Sequence, residues 1–286
     1  MKIGIAGLGK MGQNHLRELQ KNPNFQVNAL FDLRPKPELN EFGEIFHTDF
    51  DAFLGQKSDL IIIATPTNTH LEVATRALEK CPALLIEKPL ALNLSEIERL
   101  SGLSYGKKIA VGLCERFNPA VLSLKKELEN QKITSLSIQR FSPRPERIKD
   151  VGILHDLAVH DLDLLGFLSG ERIQRTLIFS KAHEENESII ACELGNSMAC
   201  LHQSWNYPLS LRKIHLGTKE HFFEADLLNF TLLKDGVRVE LDSKLKGKTP
   251  LFGEHEALLA WLDGGRHFLA GIEDAYRVQA VLEGRL

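Results

Sequence analysis

The first twelve residues constrain the fold more than any other part of the chain. In KIGIAGLGKMG, a short apolar run turns through Gly7, Gly9 and Gly12, which form a G-x-G-x-x-G motif. Glycine permits a tight turn and lets the backbone approach a pyrophosphate, while the N-terminus of the following helix offers free N–H groups. The segment therefore predicts the first strand, turn and helix of a dinucleotide-binding Rossmann domain.

Further apolar runs alternate with helical segments over the first 115 residues. QVNALFD ends in Asp32, DLIIIATP ends in Thr65-Pro66, and ALLIEKP ends in Glu87-Lys88-Pro89, before KIAVGL supplies another strand. This alternation predicts an α/β domain with a doubly wound parallel sheet, whose ligands bind at the carboxyl ends of the strands. Capping-box spacing predicts that helices begin at Thr69 (with Glu72) and at Ser95 (with Glu98).

Asp32 lies twenty residues beyond Gly12 in the sequence. A carboxylate there can accept hydrogen bonds from both hydroxyls of an adenosine ribose, and its charge repels a 2′-phosphate. This position favours NAD over NADP, although a solvated aspartate at the end of a strand is the simpler interpretation. Arg34, two residues later, could still serve a phosphate.

Lys88 follows an apolar strand and precedes a proline. A lysine after a strand is usually a solvated surface residue. Here it falls at the edge where a nicotinamide would lie, and an ammonium group at that edge suits proton transfer or polarisation of a substrate oxygen. We therefore expect Lys88 to be catalytic.

The segment GILHDLAVHDLDLL, residues 152–165, places polar residues among leucines. In a regular helix Asp156, His160 and Asp163 would lie within about 60 degrees of one another, which makes one polar stripe on an apolar helix. The stripe could be solvated, could bind a metal, or could perform acid–base chemistry. The last is favoured, because histidine titrates near neutrality and Asp156 could orient His160. We expect no metal site, since no other ligand cluster accompanies this single histidine.

Composition narrows the classes of protein that remain. The 286 residues are 43% hydrophobic and carry a formal net charge of −3, which predicts no nucleic-acid or membrane partner. The length favours two domains, placed at residues 1–117 and 118–286. Four scattered cysteines, together with an N-terminus that lacks a signal-like apolar stretch, predict a protein of the reducing cytoplasm.

Five motifs occur in the order typical of one enzyme family: GLGKMGQNHL, ATPTNTH, EKPLALN, GLCERFNPA and DLAVHDLDLL. Together they resemble the Gfo/Idh/MocA family of sugar oxidoreductases, over essentially the whole chain. The resemblance implies a Rossmann domain, followed by a C-terminal α/β domain built on an open, mostly antiparallel sheet. It also implies that Lys88, Asp156 and His160 are catalytic. The cofactor contacts that it implies are Gly7, Gly9, Lys10, Met11, Gly12, Asp32, Thr65, Pro66, His70, Glu87 and Lys88.

The loop before residue 152 carries Arg140, Arg144, Arg147 and Lys149 among prolines. It is either a solvated connection or a clamp for a diphosphate. Its likeness to a branch of the family that oxidises the C3 hydroxyl of UDP-linked sugars implies that Arg116, Arg144, Asp156 and His160 bind substrate. A free sugar, an inositol or another small hydroxy compound is the alternative substrate, and a catalytically silent dinucleotide-binding regulator is the alternative class.

Alternating apolar residues recur in the second half, in KITSLSIQRF, SIIACEL, MACLHQSW and RKIHLG. They predict a sheet with one buried face. Two helices are expected on either side of Gly264-Gly265, and Trp205 and Trp261 are expected in the core. An uncovered second face would favour a homodimer or a homotetramer.

Overall fold

The computed structural model describes residues 1–145, 152–180 and 186–285. The chain divides into two compact units, the first formed by residues 1–113 and 254–276, the second by residues 114–253 and 277–286. The predicted division into residues 1–117 and 118–286 is therefore wrong in one respect. The chain returns to the first unit near its end, so the two units are not consecutive in sequence.

The strands and helices are numbered in chain order. The strands are β1 (Lys2–Ala6), β2 (Gln26–Phe31), β3 (Phe46–His47), β4 (Leu60–Ile63), β5 (Ala83–Glu87), β6 (Lys108–Gly112), β7 (Ile133–Pro143), β8 (Arg175–Ser180), β9 (Glu187–Leu194), β10 (Ser197–Ser204), β11 (Asn206–Thr218), β12 (Phe222–Asp226), β13 (Thr231–Lys234) and β14 (Val237–Arg238). The α-helices are α1 (Lys10–Leu19), α2 (Phe50–Leu54), α3 (His70–Lys80), α4 (Leu94–Leu103), α5 (Pro119–Glu127), α6 (Val159–Ser169), α7 (Pro250–Leu262) and α8 (Ile272–Leu282).

The sheet of the first unit has six parallel strands in the order β3-β2-β1-β4-β5-β6. This confirms the predicted doubly wound sheet. Every residue of β4 and β5 is buried, as expected for strands covered on both faces. The strand order reverses direction between β1 and β4, and ligands of such sheets bind at the carboxyl edge of that point.

Both predicted capping boxes are wrong in detail. At the start of α4 the cap is Asn93, whose side chain accepts from the Glu96 N–H, while Glu96 accepts from the Leu92 N–H at 3.0 Å. The Thr69 hydroxyl donates to the Pro66 carbonyl at 2.7 Å instead of capping α3. Asparagine competes well with serine at a cap, because its side-chain oxygen reaches the same backbone donors.

The C-terminal return is held to the first unit by backbone pairing and by packing. The Val111 N–H donates to the Ala270 carbonyl at 2.9 Å, and Ala270 and Ala275 belong to the core beneath the parallel sheet. The Lys108 ammonium donates to the carbonyls of Trp261 and Leu262, at the end of α7. These contacts join residues about 150 positions apart, which local sequence patterns do not reveal.

The second unit contains an eight-stranded sheet in the order β14-β13-β12-β11-β7-β10-β9-β8. The β7–β10 pair is parallel and the other neighbours are antiparallel, which confirms the predicted mostly antiparallel sheet. One face packs against α5 and α6 to form the core. The other face, called the open face below, exposes Leu177, Phe179, Ile189, Met198 and Phe222.

The segment predicted as one helix over residues 152–165 is composite. Residues Leu154–Ala158 form a π-helical turn, and α6 begins at Val159. The predicted pair of C-terminal helices around Gly264-Gly265 is confirmed as α7 and α8. Within the ranges that the structure describes, no helix is both long enough and apolar enough to cross a bilayer.

Candidate functional site

Each glycine of the G-x-G-x-x-G loop meets a different steric condition. Gly7 has φ +91°, and a Cβ there would lie 2.6 Å from the Ala64 carbonyl, while a Cβ on Gly12 would collide with the Gly7 carbonyl oxygen. A Cβ on Gly9 would meet no atom within 4 Å. Gly7 and Gly12 are therefore required for folding of the turn, whereas Gly9 keeps open the space in front of it.

The open space at Gly9 fits an anionic group. Gly9 is the N-cap of α1 and offers no side chain to its first-turn N–H groups, and the first turn contains no acidic residue. Uncapped N–H groups at the positive end of a helix bind phosphate oxygens. Lys10 is exposed and Met11 is half-buried in this turn. The loop and α1 thus have the geometry that a dinucleotide pyrophosphate requires.

Asp32 lies directly beside the glycine loop. Its Oδ2 accepts from the Leu8 N–H at 3.0 Å and its Oδ1 accepts from the Arg34 N–H at 3.3 Å. A carboxylate can accept about four hydrogen bonds, so capacity remains for ribose hydroxyls. The Lys36 ammonium lies 3.5 Å from the carboxylate and compensates part of its charge.

His70 lies behind the strand ends and is only 1% exposed. Its Nε2 is 2.9 Å from the Thr65 carbonyl oxygen, and its Nδ1 is 3.1 Å from the Pro89 carbonyl oxygen. The ring therefore bridges the segment after β4 to the segment after β5. This placement favours a role in holding Thr65-Pro66 and Lys88-Pro89 in place over direct contact with a dinucleotide.

Glu87, the last residue of β5, is also buried, at 5% exposure. Its Oε1 lies 2.8 Å from Nε2 of His15, and Nδ1 of His15 lies 2.8 Å from Nε2 of His255. These three residues are called the histidine chain below. Sequence reasoning missed both histidines, although His15 falls on the same face of α1 as the buried residues Gly12, Leu16 and Leu19. Lys88 follows Glu87 at a half-buried position.

The π-helical turn and α6 carry the predicted acid–base pair. Asp156 is 9% exposed and lies in the turn, while His160 is half-buried in the first turn of α6. Asp163, the third member of the predicted stripe, is 4% exposed and accepts from Arg116 Nε at 2.8 Å. The wider π turn changes the angular spacing that an α-helix would give, and α6 is buried on most sides instead of presenting one stripe.

Arg140 is not a loop cation, as the sequence suggested, but a core residue of β7 at 2% exposure. Its Nε donates to Asp161 at 2.8 Å and its Nη1 donates to Glu115 at 3.2 Å. Glu115 also accepts from Arg212 at 2.8 Å. The sequence did contain a signal that Arg140 is buried, because it lies two residues after Ile138 and four after Leu136, on the same buried face of β7.

Arg116 belongs to the same buried surroundings, at 6% exposure. Its paired donation to Asp163 holds the middle of α6, which favours positioning of that helix over contact with substrate. Three arginines (Arg116, Arg140 and Arg212) and three carboxylates (Glu115, Asp161 and Asp163) thus form what is called the arginine network below.

Arg144 is exposed and held from two sides. Its Nη1 donates to Asn186 at 2.9 Å, and its guanidinium lies 5.3 Å from the centre of the Trp205 ring. Trp205 is buried with Ile153 and Leu157, as predicted for a core tryptophan. Arg147 and Lys149 lie outside the described residues.

The described histidine, cysteine and carboxylate side chains of the site are not arranged as metal ligands. Across residues 1–145, 152–180 and 186–285, no group of three His, Cys, Asp or Glu side chains has the spacing to hold a metal ion.

The first part of the chain is similar to a known protein family. Residues 1–112 match the Gfo/Idh/MocA profile, described as an oxidoreductase family with an NAD-binding Rossmann fold. The UDP-N-acetylglucosamine 3-dehydrogenase of Acidithiobacillus ferrooxidans is 30% identical over 175 residues, which cover 59% of this chain and 55% of that protein. The myo-inositol 2-dehydrogenase of Thermotoga maritima is 27% identical over 191 residues, covering 61% and 56%. The matched region thus spans little more than half the length of these relatives.

Solved structures match over the full chain. The structure of UDP-N-acetylglucosamine 3-dehydrogenase GnnA from Acidithiobacillus ferrooxidans superposes with a TM-score of 0.88 at 25% identity, covering 100% of this chain and 96% of that one. GenD2 from gentamicin A biosynthesis, solved in complex with NAD, superposes with a TM-score of 0.84 at 19% identity, covering 99% and 92%. Both units therefore have the fold of these proteins.

Proposed function

We propose that this chain, whose residues 1–112 match the Gfo/Idh/MocA profile of NAD-binding oxidoreductases, is a member of that family and a dehydrogenase that acts on a CH–OH group of a sugar. The observation that carries the proposal is the open space at Gly9, in front of the uncapped first turn of α1 and beside the Asp32 carboxylate. A bound nicotinamide dinucleotide supplies the hydride acceptor. The family profile and the named dehydrogenases among the relatives support this assignment.

NAD is the proposed cofactor in preference to NADP. The Asp32 carboxylate, which accepts from the Leu8 N–H of the loop, can still accept hydrogen bonds from the ribose hydroxyls. Its negative charge disfavours a 2′-phosphate. Arg34 and Lys36 lie close in sequence and would be the phosphate ligands if NADP were used. Binding constants for NAD and NADP on the wild-type protein and on Asp32→Ala separate the two, because loss of the carboxylate should weaken NAD and not NADP.

The proposed substrate is a nucleotide-linked sugar oxidised at C3. The likeness to a UDP-N-acetylglucosamine 3-dehydrogenase supports it, and so does Arg144, an exposed arginine stacked on Trp205 and anchored by Asn186. An arginine held in this way is suited to a phosphate group. A free inositol is the second candidate, favoured by the inositol dehydrogenases among the relatives.

Three side chains are proposed to act on the substrate. His160 accepts the hydroxyl proton, and because its Nδ1 is buried we assign the transfer to Nε2. Lys88 stabilises the developing oxyanion with its ammonium group. Asp156, in the π turn preceding α6, orients His160 or the substrate.

Turnover assays test these roles directly. Wild-type protein is incubated with NAD and with UDP-sugars, free sugars or inositols, and reduced nicotinamide is followed by its absorbance. Lys88→Met and His160→Asn should each lower turnover by about 10²- to 10⁴-fold while the NAD dissociation constant stays nearly unchanged. Lys80→Met and His267→Asn, at exposed positions, serve as matched controls.

A contrary result takes one of two forms. Full turnover in both Lys88→Met and His160→Asn would refute the assigned roles. Tight NAD binding with no turnover on any hydroxy compound would instead favour a dinucleotide-binding regulator. Gly9→Ala checks the cofactor site independently, because it should weaken NAD binding at least tenfold while leaving the melting temperature within the range of a surface substitution.

The open face is proposed to bind a second copy of the chain. Its exposed apolar residues include Leu177, Phe179 and Met198, at 58%, 64% and 62% exposure. Contiguous apolar surface of this kind is uncommon on a monomer. Light scattering of the wild-type protein should give a dimer or tetramer mass, and Phe179→Lys should lower it; a monomeric wild type would contradict this assignment.

A further inference from the structure

The histidine chain surrounds one buried carboxylate with donors. Glu87 is 5% exposed, His15 is 0% exposed and His255 is 1% exposed. Gly112, the partner of Glu87 on β6, leaves the necessary room, because a Cβ there would lie 2.8 Å from Glu87 Oε1. The Glu87 carboxylate is therefore a buried part of the sheet edge, and the glycine opposite it provides the space that it occupies.

The donor and acceptor of each hydrogen bond in the histidine chain follow from the protonation of His255, the residue farthest from Glu87. Nδ1 of His255 is buried and has no hydrogen-bond partner. A buried N–H without an acceptor is rarer in proteins than an unsatisfied acceptor, which places the His255 proton on Nε2. Nε2 of His255 then donates to Nδ1 of His15, and Nε2 of His15 donates to Glu87.

This arrangement keeps Glu87 negatively charged. Each donation polarises the next one, so the hydrogen bond to the carboxylate is strengthened. Burial and the neighbouring His15 hold the pKa of His255 well below its ordinary value, in keeping with a neutral ring at the end of the chain. Among the described residues, His15 is the only basic side chain within ion-pair distance of Glu87, and the hydrogen-bond directions above leave its ring neutral.

The position of this charge matters for the proposed cofactor. Asp32 follows β2 and the glycine loop follows β1, so a dinucleotide with its adenosine at Asp32 extends towards β4 and β5. Strands lie about 4.8 Å apart, which places the end of β5 about 10 Å from the end of β1. Glu87 thus lies at the nicotinamide end of the carboxyl edge.

We propose that the buried Glu87 carboxylate makes this protein bind the oxidised nicotinamide dinucleotide more tightly than the reduced one. The inference rests on the proposed function, because it takes the ligand to be a nicotinamide dinucleotide. The two forms differ by one positive charge on the nicotinamide ring. A fixed negative charge attracts only the oxidised ring, whereas its effect on the pyrophosphate is the same for both forms.

The test compares two dissociation constants on one variant. NAD⁺ binding is measured by calorimetry and NADH binding by its fluorescence, for wild type and for Glu87→Gln. Loss of the Glu87 charge predicts that the ratio Kd(NADH)/Kd(NAD⁺) falls in the variant. For a unit charge about 10 Å from the nicotinamide ring, at an effective dielectric constant near 20, the fall is roughly tenfold. Glu79→Gln, an exposed glutamate on α3, makes the same charge change and should leave the ratio unaltered.

The outcomes separate three cases. A lower ratio in Glu87→Gln supports the inference. Equal weakening of both dinucleotides, as a purely structural role would cause, or no change in either, overturns it and leaves the proposed function standing. Failure of the wild-type protein to bind either dinucleotide overturns both.

A measurement on the unaltered protein covers the case in which Glu87→Gln does not fold. With ¹³C-labelled glutamate, the carboxyl resonance of Glu87 should have the chemical shift of a carboxylate at neutral pH. The shift of a protonated acid would overturn the inference. His255→Asn, which shortens the chain but keeps Glu87, should change the ratio less than Glu87→Gln does.

Discussion

The buried polar groups of the two units differ in kind. In the first unit, the histidine chain joins one carboxylate to two imidazoles, and no arginine or lysine is paired with it among the described residues. In the second unit, the arginine network matches three guanidinium groups with three carboxylates. The first arrangement has one carboxylate and no guanidinium group, whereas the second has equal numbers of carboxylates and guanidinium groups.

This difference fits what each group lies beside. The histidine chain ends at Glu87, next to Lys88, at the edge of the sheet where we propose that the cofactor binds. The arginine network holds α6, through Arg140 to Asp161 and Arg116 to Asp163, and therefore sets the position of His160 on the same helix. A balanced network suits this task, since its geometry does not depend on pH in the neutral range.

Two tryptophans allow the unfolding of each unit to be followed separately by fluorescence. Trp205 lies in the second unit and Trp261 in the first, and the chain has no others. Trp261→Phe leaves a signal from the second unit alone, and Trp205→Phe leaves a signal from the first. Each variant below is combined with one of these two substitutions, because a protein of two units need not unfold in one step.

The largest expected effect is that of Arg140→Met. It leaves Asp161 and Glu115 buried without their shared counter-charge, so the free energy of unfolding of the second unit should fall by about 3–5 kcal/mol. Urea unfolding in the Trp261→Phe background measures it. Arg175→Met, whose side chain is 78% exposed, should change the same free energy by less than about 0.5 kcal/mol.

The next effect is a dependence of the stability of the first unit on pH. Burial lowers the pKa of His255 and that of His70, so both rings are neutral in the folded state at neutral pH. The unfolded chain takes up these protons below about pH 6.5. Stability is therefore complete above that pH and falls as the pH drops, by up to about 1.4 kcal/mol per pH unit for each ring.

His255→Gln tests this dependence, because an amide does not titrate. In the Trp205→Phe background, the slope of unfolding free energy between pH 6.5 and about 5 should become shallower by one proton's contribution, up to about 1.4 kcal/mol per pH unit. Identical slopes with and without His255 would contradict the assignment.

The smallest effect is expected at the edge of the arginine network. Arg212 donates to Glu115 as Arg140 does, but its side chain is 40% exposed. Arg212→Gln should therefore lower the stability of the second unit by only about 1 kcal/mol or less, because solvent screens the lost charge. A loss as large as that of Arg140→Met would show that burial is not what distinguishes the two arginines.

Local patterns were sufficient for the parts of the fold that depend on local chemistry. The glycine loop, the buried strands β4 and β5 and the end of β2 at Asp32 all follow from residues within one strand–turn–helix segment. The main strands of the second sheet likewise followed from period-two alternation. The strands β8, β12, β13 and β14 were not predicted, and of these β14 spans only Val237–Arg238.

The candidate site was predictable only in part. Gly7, Gly9, Gly12 and Asp32 lie where their motif places them, whereas His70 and Arg116 are buried in positioning contacts. Arg140 was misread as a loop cation, because the prolines that follow it obscured its place in the alternation of β7. The roles of Lys88, Asp156 and His160 stay predictions, to be tested as described.

By itself the sequence determined the nucleotide-binding turn, the class of each sheet and the residues at the strand ends, because backbone sterics and side-chain periodicity act over a few neighbouring residues. Only the tertiary structure decided that His15, Glu87 and His255 share one buried chain, although 72 and 240 positions separate them. It also decided that residues 254–276 return to the first unit. Such contacts depend on which faces the helices and sheets bury against one another, and no local pattern carries that information.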